Sequence, residues 1–238
     1  MITLTHVGKQ YGRVHTALSD VNFHIEPGEF VFLTGPSGAG KSTLLKLLFR
    51  QQVPTTGEIR MAGHRLASMP RTEIPLLRRK LGVVFQDFKL IHSMTVFENV
   101  AFGLRRHHKM TEAEIHARVE ECLAMVGLKE TEKLKPAELS GGMKRRVGFA
   151  RAIALKPRIL LFDEPTTGLD PVMTAVVDVL INDLCKKLGM TAVVVTLKVC
   201  RSRFAAEVAV NALVIDIVSS GSVLGVFVCS VGHGDLVK

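Results

Sequence analysis

Cysteine is scarce in this sequence, and its few copies are scattered. The four cysteines are Cys122, Cys185, Cys200 and Cys229, and they form no C-x-x-C pair and no metal-ligand spacing. Disulfide scaffolds and zinc modules depend on such spacings, so the pattern argues against both classes. It fits a protein of a reducing compartment.

Acidic residues are also in deficit, because 22 Asp and Glu face 31 Lys and Arg and leave a formal net charge of +9. Such a surplus attracts polyanions, namely nucleic acid, an anionic membrane face or phosphates, without selecting among them. Basic clusters lie at 78–80, 105–109 and 144–146. We interpret them as solvated helix faces, since no nucleic-acid-binding motif accompanies them. No specific nucleic-acid partner is therefore predicted.

The chain lacks strong targeting and membrane signals. Its N-terminus has no basic segment followed by an apolar stretch, so no signal peptide is predicted. The most apolar region, 204–231, is interrupted by Glu207, Asn211 and Asp216 and is rich in Ser and Gly. A membrane span in this region is a weak alternative.

Short apolar runs alternate with helical patterns up to residue 196. Buried strands are predicted at 30–34, 82–85, 157–162 and 190–196, and helices at 41–50, after the capping box that begins at Thr111, and between Asp170 and Gly189. This alternation predicts a mostly parallel sheet with helical crossovers. The stretch 87–155 has helical patterns and no strong strand run. We interpret it as a helical subdomain inserted into a core formed by 1–86 and 156–196.

Residues 35–42 read GPSGAGKS and fit the phosphate-binding pattern G-x-x-x-x-G-K-[ST] in full. The motif stands between a predicted strand and a predicted helix, which is the context it requires. Its glycines let backbone N–H groups turn inward toward a phosphate, and the helix N-terminus adds positive potential. Lys41 would reach the β- and γ-phosphates of ATP, and the Ser42 hydroxyl would bind Mg²⁺.

A second acidic site follows the apolar run that ends in Asp163 and Glu164. Strands that end in two acids are common and mostly structural, but a phosphate-binding loop needs such a partner. Asp163 would hold Mg²⁺ through water, and Glu164 would orient the attacking water and accept its proton. The two motifs together predict a nucleotide-hydrolysing site.

Between these motifs, residues 139–142 read L-S-G-G, and D-E-P follows at 163–165. With its motifs in this order, the chain resembles the ATP-binding-cassette (ABC) ATPases over residues 1 to about 196. The resemblance implies an α/β fold of the P-loop NTPase (RecA-like) kind, with a mostly parallel sheet, an inserted helical subdomain and an N-terminal antiparallel β part. It also implies a homodimer that encloses two ATP between head-to-tail subunits, and a transmembrane permease as partner.

The resemblance assigns residues position by position. Tyr11 matches the aromatic residue that stacks on adenine, and Gln86 matches the glutamine that touches Mg²⁺ and senses the membrane partner. Residues 140–142 match the signature that contacts the γ-phosphate held by the other subunit, and Asp170 follows Leu169 in the loop that crosses the interface. The predicted catalytic residues are Glu164, Lys41 and Gln86, the metal ligands are Ser42, Gln86 and Asp163, and the nucleotide-binding residues are Tyr11, Gly35, Pro36, Ser37, Gly38, Ala39, Gly40, Lys41, Ser42, Thr43, Gln86, Ser140, Gly141, Gly142, Asp163 and Asp170.

Two subfamilies are indicated by different stretches of the chain. Up to about residue 92 the sequence resembles the cell-division ATPases of the FtsE type. From about 93 to 196 it resembles the ATPases of Mla-type phospholipid transporters, through ELSGGMKRRV and DEPTTGLDPV. The less generic signature favours lipid transport over cell division by a small margin. Either role implies a peripheral protein on the cytoplasmic face of the inner membrane.

The resemblance breaks after Thr196, where the family has a histidine that bonds the γ-phosphate. This chain has Leu197 and then Lys198, and its only later histidine is His233. Three explanations stay open for the segment 197–238, which completes a single domain of 1–238: a divergent ending of uncertain fold, a late frameshift or artificial sequence, or a nucleotide-binding subunit with weak turnover. The missing histidine favours a further alternative, a regulatory module that binds ATP with little hydrolysis.

Overall fold

The computed structural model describes residues 1–12, 15–106, 110–196, 212–220 and 223–231. The strands are β1 Ile2–Tyr11, β2 His15–Ile25, β3 Phe30–Thr34, β4 Thr56–Met61, β5 His64–Arg65, β6 Leu81–Val84, β7 Ile159–Asp163, β8 Thr191–Val195, β9 Ala212–Ser220 and β10 Val223–Val231. The helices are α1 Lys41–Leu48, α2 Ile74–Arg79, α3 Val96–Arg105, α4 Glu112–Met125, α5 Gly141–Ile153 and α6 Pro171–Leu188, with a 3₁₀ turn at Pro136–Glu138. The predicted strands and helices are present, with ends shifted by one or two residues. Leu197, Lys198, Cys200 and His233, and residues 107–109 of the second basic cluster, lie outside the described residues.

Two sheets form the described part of the fold. A six-stranded sheet has the order β10-β9-β3-β8-β7-β6, with parallel pairing from β9 through β6 and an antiparallel β9–β10 pair at one edge. A four-stranded antiparallel sheet has the order β2-β1-β4-β5. The expected fold class, a mostly parallel sheet with an N-terminal antiparallel part, is confirmed.

The described parts of the tail belong to the six-stranded sheet. β9 pairs with β3 in parallel, with Phe30 opposite Ala212 and Thr34 opposite Asp216, and β10 pairs with β9. The tail, whose fold the sequence pattern leaves unspecified, thus contributes an antiparallel strand pair beside β3. Of the helices in the described ranges, none is long and apolar enough to cross a membrane.

The central strands are buried on both faces, which explains their apolar sequences. All five residues of β8 and the first four of β7 are buried. Leu160 and Phe162 belong to a cluster with α3, α4 and α5, whereas Ile159 and Leu161 belong to a cluster with α1 and the antiparallel sheet. Because successive strand residues point to opposite faces, one short run supplies both clusters.

Helices begin and end at the caps that their sequences predict. The Thr111 N–H donates to Oε2 of Glu114 at 2.7 Å, and the Glu114 N–H donates to Oγ1 of Thr111 at 3.3 Å. Thr95 makes the same capping box at the start of α3. Gly189 ends α6 in the left-handed conformation, with φ 60°.

The segment between β6 and β7 contains α3, α4, the 3₁₀ turn and α5, joined by turns, and no strand among its described residues. α5 packs against α3, α4 and β6, so it joins the helical layer to the sheet. Cys122 of α4 and Cys185 of α6 are free, buried thiols. The limits 87 and 155 of the inserted subdomain stay a prediction.

Gly82 of β6 offers a test of the packing between sheet and helices. A Cβ at this position would lie 2.5 Å from the Ala152 carbonyl oxygen and 2.5 Å from Cδ2 of Leu160. We expect Gly82→Ala to lower the free energy of unfolding by about 1–3 kcal/mol, as overpacked cores do. Urea unfolding followed by circular dichroism measures this loss.

Gly103→Ala is the matched control for this substitution. Gly103 lies in α3, and a Cβ there would meet only the Leu155 side chain, at 3.3 Å or more. Alanine favours a helix over glycine by about 1 kcal/mol, so this variant should be neutral or slightly more stable. Equal losses in the two variants would contradict the packing described here.

Candidate nucleotide-binding site

The loop at 35–42 joins the end of β3 to the start of α1. All three of its glycines have positive φ, 146° at Gly35, 82° at Gly38 and 84° at Gly40. A Cβ at Gly40 would collide with the backbone carbonyl of Ala17, so only glycine fits there. The loop therefore delivers its last residues into the first turn of α1, where unpaired helical N–H groups favour an anion.

The Lys41 ammonium lies within this loop. Its side chain is 5% exposed, and Nζ donates to the carbonyl oxygens of Gly35 at 2.6 Å and Pro36 at 2.8 Å. Burial lowers the pKa of Lys41, and the negative charges of Glu164 and Asp163 oppose that shift. A cation held by neutral carbonyls can exchange them for phosphate oxygens, which form stronger, charge-assisted hydrogen bonds.

The two acids of the second motif stand at the end of β7. Asp163 pairs with Val195 of β8, and the Glu164 N–H donates to the Val195 carbonyl at 2.9 Å. Glu164 has a left-handed backbone, with φ 48°. The Thr167 hydroxyl donates to Oε2 of Glu164 at 2.9 Å. This hydrogen bond fixes the direction of the Glu164 carboxylate. Burial, and then the neighbouring Glu164, raise the pKa of Asp163.

Ser42 and Asp163 line the same cavity, which has a volume of about 830 Å³. A hydroxyl and a carboxylate are oxygen donors of the kind that Mg²⁺ takes in small number beside water and phosphate. Gln86, the third predicted ligand, is exposed in the segment after β6 and is not among the lining residues. The structure therefore brings two of the three predicted metal ligands together.

Tyr11 lies beside the helix that follows the phosphate loop. Its hydroxyl is 3.4 Å from Oγ1 of Thr43 and donates to Oε1 of Gln52. The ring stacks on His15, with centroids 6.1 Å apart. The two predicted nucleotide contacts Tyr11, the exposed last residue of β1, and Thr43 of α1 are therefore neighbours.

The signature residues 140–142 stand at the start of α5. Ser140 is the N-cap, and its Oγ accepts from the Met143 N–H at 3.2 Å. Gly141 is exposed, and a Cβ there would meet no atom within 4 Å. Within the described residues, no hydrogen bond joins this helix start to the loop at 35–42. The signature is thus an exposed helix N-terminus without a hydrogen bond to the phosphate loop in the described part of the chain.

Asp170, assigned to the interface loop, caps α6. Its Oδ1 accepts from the N–H groups of Val172 and Met173, each at 2.9 Å. A Cβ added at Gly142 would lie 3.6 Å from Cε of Met173, so α5 and α6 begin side by side.

Two arginines of α5 contact loops of the site, and the sequence reasoning missed both. Arg151 donates to the carbonyls of Phe88 at 2.6 Å and Lys89 at 2.7 Å. Arg145 is buried, so the interpretation of 144–146 as a solvated face is wrong for this residue. Helical spacing carries the missing signal, because Arg145 is four residues before the buried Phe149 and shares its face.

A glycine loop between strand and helix, beside a strand that ends in acids, defines a nucleotide-binding site of the P-loop class. Residues 18–167 match a family model described as ABC transporter. The match spans more than half of the chain. The protein therefore belongs to the ABC transporter family, as an ATP-binding subunit of its ATP-hydrolysing type.

Relatives of this chain include cell-division and import proteins. It is 48% identical over 172 residues to the cell division ATP-binding protein FtsE of Mycobacterium tuberculosis, covering 72% of this chain and 74% of that one. It is 43% identical over 193 residues to the methionine import ATP-binding protein MetN of Symbiobacterium thermophilum, covering 81% of this chain and 58% of that one. The FtsE-type resemblance is confirmed, and the Mla-type resemblance stays a prediction.

Solved structures with the same fold include a dimer with bound product. The dimeric post-hydrolysis state of the ATP-binding cassette MJ0796, bound to ADP and Pi, has a TM-score of 0.78 and 37% identity and covers 90% of this chain and 94% of that one. The cbiO1 protein of Clostridium perfringens, part of the ABC transporter complex cbiONQ, has a TM-score of 0.78 and 29% identity and covers 90% and 83%.

The raised pKa of Asp163 has a consequence for stability. A carboxyl with a raised pKa binds its proton more tightly in the folded state, so the ionised form opposes folding at pH above both pKa values. We expect Asp163→Asn to raise the melting temperature of the ligand-free protein at pH 8. The gain should shrink as pH falls through the raised pKa of the folded state and vanish below the pKa of an ordinary aspartate, where the wild-type carboxyl is protonated in both states.

Thermal unfolding at pH 8 and at lower pH measures this effect. Asp183→Asn is the matched control, since Asp183 is exposed on α6. A rise in melting temperature that is the same at both pH values, or as large in Asp183→Asn, would contradict a destabilising effect of the ionised Asp163 carboxylate.

Proposed function

We propose that this subunit binds Mg-ATP at the loop 35–42, hydrolyses it in a head-to-tail homodimer, and drives a transmembrane permease from the cytoplasmic face of the inner membrane. The observation that carries the proposal is the meeting of the phosphate loop with the acidic end of β7. Lys41 at one side and Asp163 and Glu164 at the other are coupled by charge across this edge of the sheet. The fold relatives support the proposal, since they include a dimer with ADP and Pi.

The chemistry is in-line attack of water on the γ-phosphate. Glu164 orients the water and accepts its proton, and its carboxylate is already held by the Thr167 hydroxyl. Lys41 releases its loop carbonyls and neutralises the developing charge on the β- and γ-phosphate oxygens. Tyr11 lies next to Thr43, where an adenine ring would stack on it.

The donor set of the cavity fits Mg²⁺. The Ser42 hydroxyl and the Asp163 carboxylate would hold the ion, and no cluster of three or more His, Cys, Asp or Glu competes for a metal within the described residues. Bound there, Mg²⁺ supplies charge neutralisation to the phosphates. Gln86, the third predicted ligand, follows Phe85, which lines this cavity.

A second subunit would complete the site with a contact to the γ-phosphate that the phosphate loop of one chain does not provide. The start of α5 presents the exposed Gly141 and the capping Ser140, an arrangement of free N–H groups that binds anions. In a head-to-tail dimer this helix start would meet the γ-phosphate on the partner's phosphate loop. Asp170 and its loop would lie between the two sites.

The permease would dock at the apolar wall of the cavity that Ser42 and Asp163 also line. Its wall combines the apolar Phe49, Phe85 and Phe102 with cations such as Arg78. This combination fits a short helix of the membrane partner that carries apolar and acidic side chains. The cavity also touches Lys89 and Arg151, so an occupant contacts the segment that carries Gln86.

Cell division is the process that the relatives favour. The identity of 48% with an FtsE protein extends over 172 residues. Lipid transport is the second candidate, and it is favoured by the stretch GGMKRR at 141–146. A regulatory module with little hydrolysis is the third, because Leu197 replaces the family histidine.

Steady-state Mg-ATP hydrolysis by the purified chain tests the catalytic part. We expect wild-type turnover to exceed that of Glu164→Gln by at least about 100-fold, the contribution of a general base. ATP binding should persist in Glu164→Gln and be lost in Lys41→Ala.

Absence of turnover with intact ATP binding would contradict the enzymatic reading and favour the regulatory module. Leu197→His then restores the family residue, which lies outside the described part of the chain. Turnover gained by this variant would trace the defect to the missing histidine. Turnover in neither protein, with ATP binding intact, would leave the regulatory module as the function that fits.

Docking is tested on Phe102, which is 39% exposed at the mouth of the cavity. We expect Phe102→Ser to weaken sedimentation with stripped inner-membrane vesicles about 30-fold, which corresponds to losing an aromatic anchor. Basal hydrolysis should be unchanged. Val179→Ser, on an exposed face of α6, is the matched control. Equal binding to protein-free liposomes of the same lipids would contradict a protein partner.

A further inference from the structure

Arg145 is a buried cation that forms no salt bridge with an acid in the described ranges of the chain. Its side chain is 5% exposed, and Nη2 makes one long hydrogen bond to the Thr167 carbonyl oxygen, at 3.3 Å. Nε and Nη1 have no hydrogen-bond partner among the described residues. The guanidinium carbon lies 5.1 Å from the ring centroid of Phe88. Burying a charge in this way is costly, and such costs are typical of functional sites rather than of ordinary cores.

The ring under Arg145 belongs to a strained turn. Phe88 and Lys89 both have left-handed backbones, with φ 59° and 45°, two residues after Gln86. Non-glycine residues hold this conformation only where the surroundings impose it. Arg151 donates hydrogen bonds to the carbonyls of the turn, and the Arg145 guanidinium lies over the Phe88 ring. Two side chains of α5 therefore hold the turn.

The other contact of Arg145 leads to the catalytic acid. Thr167, whose carbonyl accepts from Arg145, donates its hydroxyl to Oε2 of Glu164. The Thr167 N–H also donates to the Glu164 carbonyl, at 3.3 Å. A shift of Arg145 would therefore move Thr167, and with it the carboxylate that has to face the γ-phosphate.

We propose that Arg145 is a positioning residue for ATP hydrolysis, which joins the strained turn at Phe88 to Thr167 and so holds the Glu164 carboxylate in its working direction. The inference rests on the proposed role of Glu164. The inference adds a connection, through Arg145 of α5, between the segment that carries Gln86 and the catalytic acid Glu164. Arg145 touches neither nucleotide nor water in this assignment.

Arg145→Met tests the proposal in the full-length chain. Methionine keeps the apolar stem and its packing on Phe88 but cannot bind the Thr167 carbonyl. We expect kcat for Mg-ATP hydrolysis to fall about 10- to 100-fold, the effect of misplacing a reacting group by about an ångström. KM for ATP should stay unchanged, because the phosphate loop is untouched. Arg145→Lys retains the charge and an N–H donor and should recover part of the loss.

Lys144→Met is the matched control, since Lys144 is a partly exposed neighbour on the same helix. It removes one charge and should leave kcat and KM as they are. A double-variant cycle with Thr167→Val adds a second measurement. If Arg145 acts through Thr167, the double variant should be no slower than the slower single variant.

The outcomes separate this proposal from the proposed function. Wild-type turnover above Glu164→Gln, together with an unchanged kcat in a folded Arg145→Met variant, overturns the positioning role alone. A raised KM with unchanged kcat, or additive losses in the cycle, also overturns it. A wild type without turnover overturns the role of Glu164 and the positioning role together. If circular dichroism shows that Arg145→Met does not fold, Arg145→Lys and Thr167→Val replace it. A lowered kcat with unchanged KM in these variants supports the positioning role, and an unchanged kcat overturns it.

Discussion

The parallel pairing of β3, β8 and β7 is the constraint on which the rest of the structure depends. β8 lies between the other two strands, so β3 and β7 end at the same edge of the sheet. The phosphate loop leaves one of these ends, and Asp163 and Glu164 stand at the other. Because the strands are buried on both faces, a register slip would reverse their packing, and the sheet therefore fixes the two motifs relative to each other.

This edge of the sheet brings a buried cation close to two partly buried carboxylates. Lys41 is held by loop carbonyls, and the pKa of Asp163 is raised by burial and by Glu164. Burial and the neighbouring charge of Glu164 make the ionised form of Asp163 costly to the folded chain. The Mg²⁺ ion of the proposed function would offset this cost.

The helical layer adds the connections that the sheet cannot make. α5 starts with the open signature, and further along it sends Arg145 and Arg151 to the turn at Phe88. One helix thus carries the signature at its start and contacts the region that follows β6 through side chains further along.

Much of the fold could be predicted because its signals are local. The capping box at Thr111, the cap at Asp170 and the left-handed Gly189 each depend on residues a few positions apart. Element ends were less predictable, and α1 ends at Leu48 because the chain turns out of the helix through the left-handed Arg50. The strand pair at 212–220 and 223–231 had no clear pattern, since its place depends on pairing with the distant β3.

By itself, the sequence determined the chemistry of the phosphate loop and of the acidic strand end, because each is a short motif whose function depends on its own backbone. Only the tertiary structure decided that Ser42 and Asp163 line one cavity, and that Arg145 is buried between Phe88 and Thr167. These relations join segments far apart in the chain. Packing alone brings such segments together, and no local pattern records the distance between them.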